Sequence, residues 1–197
     1  MRVLVACEFS GVVRNAFLRR GHDAYSCDIL PALWLPCPKG RHFRQDVRPL
    51  LKMKWDLVIA HPPCTYLSNS GVRWLTDNPK RVSMMKKGAA FFLDCLNANS
   101  SSVCVENPIQ HRYAREVGIP APSQILQPWQ FGHGETKAIC LWLCGLPALA
   151  PTNVVIGREH RIHKMPKTPS RGIMRSIFYD GLASAMADQW GSLGEVT

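Results

Sequence analysis

The chain has 197 residues and a formal net charge of +10 at neutral pH, with 24 lysines and arginines against 14 aspartates and glutamates. Its hydrophobic content of 46% and charged content of 19% are typical of a globular protein with a proper core. No apolar run approaches the ~20 residues of a membrane-spanning helix, and the apolar N-terminal stretch is too short for a signal peptide. We therefore predict one cytoplasmic domain over residues 1–197, with no membrane partner.

The eight cysteines indicate neither disulfides nor a zinc site. Disulfides belong mainly to secreted proteins, and nothing in the sequence directs secretion. One metal-like set has C-x3-C and H-x2-H spacings, which differ from the usual zinc pairs, and Cys144 lies in an apolar run that predicts core. That set is Cys140, Cys144, His160 and His163. We expect no metal, and we expect reduced core thiols at Cys7, Cys27, Cys95 and Cys104.

The positive charge is concentrated in three clusters. Lysines and arginines gather within residues 39–54, 73–87 and 158–175, and the third cluster contains only one acid, Glu159. A fold does not require such an excess, whereas a polyanionic partner explains it. The clusters therefore favour nucleic acid as a partner over a charge that serves solubility alone.

The first residues predict a strand, a turn, a helix and a second strand. Arg2–Ala6 is apolar and β-branched, a helix over 12–20 follows a turn with Gly11, and a strand over 23–27 closes on Asp28. This order is typical of the first half of a nucleotide-binding α/β unit. In such units an acid after the second strand accepts hydrogen bonds from a ribose.

The stretch around Cys64 carries the main chemical signal. Residues 56–60 form a short apolar run that predicts a buried strand, and prolines at 62 and 63 end it. Cys64 therefore lies on a rigid turn beyond the carboxyl end of a strand, where open α/β sheets bind ligands. The turn-rich residues 65–71 suit a mobile lid. Upstream, the segment 42–47 carries Asp46, either a surface acid or an acceptor for the exocyclic amine of adenine.

The strand that follows in the sequence ends with a carboxyl group at the same edge of the sheet. A helix over 81–97 leads to a strand over 101–105, which ends in Glu106 and Asn107. Glu106 lies 42 residues after Cys64, enough for one helical crossover between neighbouring parallel strands. A thiol and a carboxyl at one sheet edge suit substitution at carbon 5 of a pyrimidine. Thiolate addition at carbon 6 makes carbon 5 nucleophilic, and the carboxyl holds N3.

The last third of the chain predicts a strand over 138–143 and a closing amphipathic helix over 179–190. Between them lies an irregular, basic stretch. We predict that residues 147–175 form a mobile arm of the same domain.

Several of these stretches resemble motifs of the DNA (cytosine-5) methyltransferases. The run from Asp56 through Cys64 to Gly71 is similar to their motif IV, which carries the nucleophile, and residues 105–107 are similar to their motif VI. Residues 9–11 with the following helix and Asp28 resemble their S-adenosylmethionine motifs, as Asp46 resembles the next one, and residues 179–190 resemble the last family motif. The resemblance covers residues 2–110 well and the remainder weakly.

The resemblance implies a Rossmann-like S-adenosylmethionine-dependent methyltransferase fold, with a mostly parallel sheet and helices on both faces. It implies that Cys64 attacks cytosine in DNA, which is single-stranded or a duplex with the base flipped out, and that Glu106, beside Asn107, binds N3. S-adenosylmethionine, or a modified sulfonium analogue, is expected to contact Cys7, Glu8, Phe9, Ser10, Gly11, Asp28, Ile29, Asp46, Val47, His61 and Pro62. DNA is expected to contact Arg73, Arg158, Arg161, Lys164, Lys167 and Arg171.

The sequence also departs from the family. Its QxRxR block is not evident, because Thr136 and Lys137 occupy the place where it is expected. The chain has no room for a large target-recognition domain, so readout of the DNA sequence is reduced, delegated or absent. Two alternatives remain: the same chemistry on a free pyrimidine nucleotide, and a non-catalytic DNA-binding relative. The small size favours a bacteriophage or other mobile-element setting, within the host cytoplasm.

Overall fold

The computed structural model describes residues 1–33, 37–75 and 78–194. Within these residues seven strands form one sheet with the order β3-β2-β1-β4-β5-β7-β6. The strands are β1 (Arg2–Ala6), β2 (Asp23–Asp28), β3 (His42–Arg44), β4 (Leu57–Ala60), β5 (Val103–Asn107), β6 (Gln124–Leu126) and β7 (Ile139–Cys144). The helices are α1 (Val12–Leu18), α2 (Arg48–Leu51), α3 (Pro79–Leu96), α4 (Arg112–Glu116), α5 (Arg161–Lys164), α6 (Arg171–Ser176) and α7 (Asp180–Gly191), with 3-10 turns at Asn69–Trp74, Pro128–Gln130 and Ser192–Gly194.

The sheet is mostly parallel, as predicted. Strands β1 to β5 pair in parallel with one another, whereas β7 runs antiparallel to both of its neighbours, β5 and β6. Because β1 to β5 all point the same way, their carboxyl ends open at one edge of the sheet. The predicted α/β Rossmann-like fold is therefore confirmed, and this edge is where such folds bind ligands.

Both faces of the central strands are covered, which explains their continuous apolar sequences. In β1, Val3 and Val5 pack in the core under α1 and α7, while Leu4 and Ala6 pack in the core under α2, α3 and α4. All four side chains are fully buried. On the α3 side, the rings of Phe92 and Trp142 meet edge to face with centroids 4.9 Å apart. Helices therefore lie on both faces, as expected.

Three local predictions change in the structure. Glu106 and Asn107 lie inside β5 and pair with Leu141 and Cys140 of β7, so they do not follow the strand. The predicted strand over 138–143 extends to Cys144, whose side chain is exposed, so the expectation that Cys144 is core is wrong. The three-residue β6 was not predicted, because so short a strand shows no periodicity and is recognised only through its pairing with β7.

The basic segment 147–175 is attached to the body of the protein at several points. Leu149 is buried in the core beside α7. Backbone amides of Asn153 and Val155 donate to the carbonyl groups of Gln130 and Trp129, 3.2 and 2.9 Å away. The mobility of this arm stays a prediction. None of the helices within residues 1–33, 37–75 and 78–194 has the length and apolar character that crossing a membrane requires.

Helix α7 packs so closely against the end of the 3-10 turn before Phe131 that it requires glycine at 181. A methyl group on Gly181 would overlap the Phe131 carbonyl oxygen, whereas one on Gly172 in α6 would meet open space. We expect Gly181→Ala to lower the free energy of unfolding by about 1–3 kcal/mol, since overpacking forces backbone shifts. Gly172→Ala, the matched control, should be neutral or stabilising. Urea unfolding of both variants tests this, and equal stabilities would contradict the packing argument.

Candidate active site

The carboxyl ends of β1 to β5 border a cleft of about 890 Å³. We call it the active-site cleft. Its volume lies in the range of pockets that hold a drug-sized ligand. Every predicted catalytic and cofactor-binding residue lines it except Gly11: Cys7, Glu8, Phe9, Ser10, Asp28, Ile29, Asp46, Val47, His61, Pro62, Cys64, Glu106 and Asn107. The structure therefore brings together side chains that are separated by up to 100 positions in the sequence.

The turn that carries Cys64 is held at both ends. Its start continues the sheet, because the His61 amide donates to the Ala6 carbonyl group at 2.9 Å. The Asn107 side-chain amide of β5 donates to the Pro62 carbonyl oxygen at 2.7 Å. The Cys64 carbonyl group then accepts the amides of the two residues at 67 and 68, each at 3.0 Å. Asn107 therefore joins the Cys64 turn to the strand that carries Glu106.

The surroundings of the Cys64 thiol act on its pKa in two directions. Burial raises the pKa above its ordinary value, and the negative charge of Glu106 raises it further. The positive charges of Lys137 and Arg175 oppose both effects, but the pKa stays raised. The thiol is therefore protonated at neutral pH in the described structure, and it needs a proton acceptor or a change in its surroundings before it becomes a nucleophile.

Glu106 forms a partly buried pair with His61. The ring Nδ1 of His61 lies 3.1 Å from Oε2 of Glu106, and the two side chains are only 13% and 11% exposed. Burial alone would raise the pKa of Glu106, but the hydrogen bond from His61 and the charge of Lys137 outweigh it, so the pKa is lowered. The other ring nitrogen of His61 is buried and has no hydrogen-bond partner among the described residues. The predicted cofactor contact His61 is therefore also a partner of the predicted catalytic acid.

The loop between β1 and α1 is shaped by its own hydrogen bonds. The Glu8 carboxylate accepts the backbone amides of Val13 and Arg14 at 2.6 and 3.2 Å, which satisfies the start of α1. Burial raises the pKa of Glu8. Gly11 adopts φ of 75°, and the Arg14 guanidinium occupies the place of a side chain there. Glu8 thus serves the helix, and Gly11, predicted to contact the cofactor, shapes the loop without lining the cleft.

Two acids stand at the ends of neighbouring strands, as predicted. Asp28 ends β2, and its Oδ1 accepts the Leu30 amide at 2.9 Å. Burial raises the pKa of Asp28. Asp46 follows β3, and the backbone amide of Arg48 and then its guanidinium lower the pKa of Asp46. Both carboxyl groups line the active-site cleft, where they can accept hydrogen bonds from hydroxyl and amino groups of a nucleoside.

Cations and aromatic rings for which the sequence predicted no place in the cleft also border it: Trp74, Arg81, Phe91, Lys137, Arg175 and Phe178. Arg81 and Arg175 belong to the second and third basic clusters, and Lys137 lies where the family's QxRxR block is expected. Phe178 reaches the site by packing against His61, with ring centroids 4.8 Å apart. Such convergence of distant segments leaves no local signal in the sequence.

The six predicted DNA contacts lie outside the lining of the active-site cleft, and their surroundings differ. Lys164 and Lys167 are exposed on and after α5, while Arg171 is half-buried. Arg161 is paired with Glu135 at 2.7 Å. The Arg73 guanidinium lies 4.7 Å from the centre of the Trp74 ring, and that of Arg158 lies 3.8 Å from the Trp129 ring.

We expect no metal at Cys140, Cys144, His160 and His163, and the described members of this set differ in their surroundings. Cys140 is buried and Cys144 is exposed, while His160 hydrogen-bonds Thr136 at 2.6 Å. The His163 side chain lies outside the described part of the structure. Across residues 1–33, 37–75 and 78–194, no group of three or more histidine, cysteine or acidic side chains is arranged to hold a metal ion.

Comparisons with known proteins support the fold. No family model matches the sequence, and no curated protein matches it. Among solved structures, the chain is similar to a DNA modification methyltransferase encoded within an E. coli prophage, with a TM-score of 0.51 and 14% identity over 84% of this chain and 55% of that one. It is also similar to a methyltransferase of Entamoeba histolytica, with a TM-score of 0.43 and 13% identity over 78% and 57%. The chain spans about half the length of these proteins, and at such identity the first likeness shows the α/β fold alone.

The pair of His61 and Glu106 should make stability depend on pH. His61→Phe removes the donor, so we expect the pKa of Glu106 to rise as burial is less opposed. Because the native pKa lies below the ordinary value, the pair stabilises the fold above the ordinary carboxyl pKa. That stability is lost as the pH falls through the lower native pKa. We expect His61→Phe to lower the free energy of unfolding by about 1–3 kcal/mol near neutral pH, and by less in acid.

The measurement is the carbon-13 titration of the Glu106 carboxyl group, combined with urea unfolding across the same pH range. His61→Gln is the matched control, because its amide keeps an N–H donor and should retain part of the shift. A Glu106 pKa that is unchanged in His61→Phe would contradict this account of the pair.

Proposed function

We propose that the protein transfers a methyl or related one-carbon or alkyl group to carbon 5 of cytosine in DNA, through a covalent adduct with Cys64. One observation carries the proposal: Cys64 after β4 and Glu106 in β5 border the same cleft as the acids that end β2 and follow β3. A nucleophile and an acid for the base thus share one space with a nucleoside-binding edge. The fold shared with a DNA modification methyltransferase is consistent with this reaction.

Cys64 supplies the covalent step that a pyrimidine needs. Its thiol loses a proton, and the sulfur forms a bond to carbon 6 of the base while the π electrons of the ring move towards carbon 5 and N3. Carbon 5 then reacts with an electrophile. Its hydrogen leaves as a proton, and the bond from carbon 6 to sulfur breaks, which restores the aromatic ring and the free thiol.

The cations beside Cys64 lower the cost of the first step. Lys137 and Arg175 both act to lower the pKa of the thiol, against burial and the charge of Glu106. When Glu106 takes up a proton or shares one with the base, its opposing charge falls and the thiolate becomes easier to form. Binding of the base at Glu106 and activation of Cys64 are therefore coupled.

The pair of His61 and Glu106 gives a proton to N3 and later takes it back. Glu106 is ionised at rest, so it takes up the proton that the Cys64 thiol gives up, and this proton passes to N3 as electrons move towards that atom. The proton returns to the pair when the adduct breaks down. His61 holds the carboxylate in place at 3.1 Å throughout, and the ring of Phe178 packs against His61 on its other side.

The remaining part of the cleft fits a sulfonium nucleoside. S-adenosylmethionine, or a modified analogue, supplies an electrophilic alkyl group. Asp28 would accept hydrogen bonds from ribose hydroxyl groups and Asp46 from the adenine amine, and the cleft lining also offers the apolar side chains of Phe9, Val47 and Phe91. The backbone of residues 7–11 turns tightly there, with positive φ at Cys7 and Gly11.

DNA is the substrate that best matches the charge of the chain. The net charge of +10 exceeds what one small phosphate group requires. A target cytosine reaches the cleft by flipping out of a duplex or from a single strand. Exposed cations of α5 and the segment after it then contact phosphates. A bacteriophage setting is supported by the prophage origin of the similar structure.

Covalent trapping tests the nucleophile and the substrate together. We expect an oligonucleotide that contains 5-fluorocytosine, mixed with S-adenosylmethionine, to add its full mass to the protein, because fluorine cannot leave carbon 5 as a proton does. Cys64→Ala should abolish the adduct. Cys144→Ala is the matched control, since this exposed thiol lies outside the cleft, and it should leave the adduct intact. Intact-mass spectrometry measures all three proteins.

The same experiment separates the alternatives. An adduct with 5-fluorodeoxycytidine monophosphate, but none with DNA, would favour a free-nucleotide enzyme. DNA binding that weakens with salt, together with no adduct of either kind, would favour a non-catalytic relative. An adduct that persists in Cys64→Ala would refute the proposed nucleophile.

The cofactor assignment predicts a defined loss of affinity. Asp28→Asn should weaken S-adenosylmethionine binding about tenfold, because a neutral amide replaces a charged acceptor for ribose hydroxyl groups. Asp56→Asn is the matched control: Asp56 precedes β4 at the opposite edge of the sheet and binds the Arg2 amide at 2.6 Å. Titration calorimetry gives both affinities. Equal weakening in the two variants would remove Asp28 from the proposed site.

A further inference from the structure

A second cleft, of about 610 Å³, lies beside the active-site cleft. It is bordered by the 3-10 turn Asn69–Trp74, by residues 109–115, by the edge strand β6 and by its neighbour β7. None of the roles derived above involves it. We call it the flanking cleft.

The flanking cleft contains a buried amide without a partner. Gln110 is 7% exposed, and both its Oε1 and its Nε2 are buried without a hydrogen-bond partner among the described residues. Buried polar groups in folded proteins are nearly always hydrogen-bonded, and leaving two unpaired costs free energy. Neither atom is accessible in this conformation, so the side chain must first turn towards the cleft, which breaks no hydrogen bond with the described residues. A ligand that offers one donor and one acceptor side by side would then satisfy both atoms.

The flanking cleft is rigidly connected to the Cys64 turn. Ser68 forms a β-bridge with Gln110, the Asn69 amide donates to the Ile109 carbonyl group at 3.3 Å, and the His111 amide donates to that of Leu67 at 3.0 Å. Gln110 also follows Glu106 by four residues, at most ~14 Å of extended chain. A group bound at Gln110 is therefore within a few nucleotides of a base held at Glu106.

The lining suits a nucleotide. Arg112 and Arg115 are exposed at the cleft, and no carboxylate borders it among the described residues. The Arg112 guanidinium lies 4.7 Å from the centre of the Tyr113 ring, which gives a flat cationic surface. Ile125 is 55% exposed and offers apolar contact to the face of a base. Cations for phosphate and flat or apolar surfaces for stacking are the parts of single-strand binding sites.

We propose that the flanking cleft binds a base next to the target cytosine, and that Gln110 selects adenine there. The Gln110 amide donates to N7 of adenine and accepts from its N6 amino group, a pairing that glutamine makes with this base. The inference rests on the proposed function, since it assigns a second nucleotide of the same DNA substrate. It would let the described residues read one base beside the target cytosine.

The test uses single-stranded oligonucleotides with one central 5-fluorocytosine and each of the four bases at every position up to three nucleotides away. Fluorescence anisotropy without a methyl donor reports binding, and intact mass with S-adenosylmethionine reports the adduct. The proteins compared are wild type, Gln110→Leu, Gln110→Glu and, as a matched control outside both clefts, Gln189→Leu.

We expect wild type and Gln189→Leu to favour adenine at one flanking position by about tenfold in binding. Gln110→Leu, which keeps volume but no hydrogen bond, should bind all four bases within about twofold. Gln110→Glu should favour cytosine there, because a carboxylate accepts from the cytosine amino group.

The outcomes separate the two proposals. Adduct formation with no base preference in the wild type, or an adenine preference that survives in both Gln110 variants, overturns the inference and leaves the proposed function in place. An adenine preference in binding that depends on Gln110, without any adduct, supports the inference and overturns the covalent chemistry. If the wild type does not bind DNA at all, both proposals are overturned.

Discussion

The hydrogen bond from the Asn107 side chain to the Pro62 carbonyl oxygen, 2.7 Å long, holds the site in one geometry. It joins the turn that carries Cys64 to the strand that carries Glu106, across the boundary between β4 and β5. Prolines at 62 and 63 stiffen that turn, and backbone hydrogen bonds of His61 and Cys64 hold its two ends. The catalytic geometry proposed for Cys64 and Glu106 therefore depends on the parallel pairing of two short, fully buried strands.

The electrostatics of the cleft are balanced between opposing effects. Burial and the charge of Glu106 keep the Cys64 thiol protonated, while Lys137 and Arg175 favour the thiolate. His61 and Lys137 hold Glu106 ionised against its burial. A base whose binding brings a proton to Glu106 would shift both balances at once, because the charge that opposes the thiolate would fall. In the described structure the Cys64 thiol is therefore unreactive, and the proposed role as nucleophile requires this change in its surroundings.

The two clefts share one framework. Loops 64–69 and 107–111 are hydrogen-bonded to each other, and each cleft uses one side of this pair. The buried, unpaired amide of Gln110 lies four residues beyond Glu106 on this framework. If DNA is the substrate, as proposed, the positive charge of the chain would contribute affinity for any DNA sequence, and a few directed hydrogen bonds would add selectivity.

Local sequence determined five of the seven described strands, namely β1, β2, β4, β5 and β7, because hydrophobic runs and turn residues act over short distances. It placed Cys64, Glu106, Asp28 and Asp46 at or near the ends of predicted strands or short segments. It also indicated that parallel strand ends would bring these side chains together. Tertiary structure alone decided the partnership of His61 with Glu106, the arrival of Lys137 and Arg175 at Cys64, the use of Glu8 by α1, and the isolation of Gln110. These features depend on contacts between segments far apart in the chain, where neither periodicity nor motif spacing carries information.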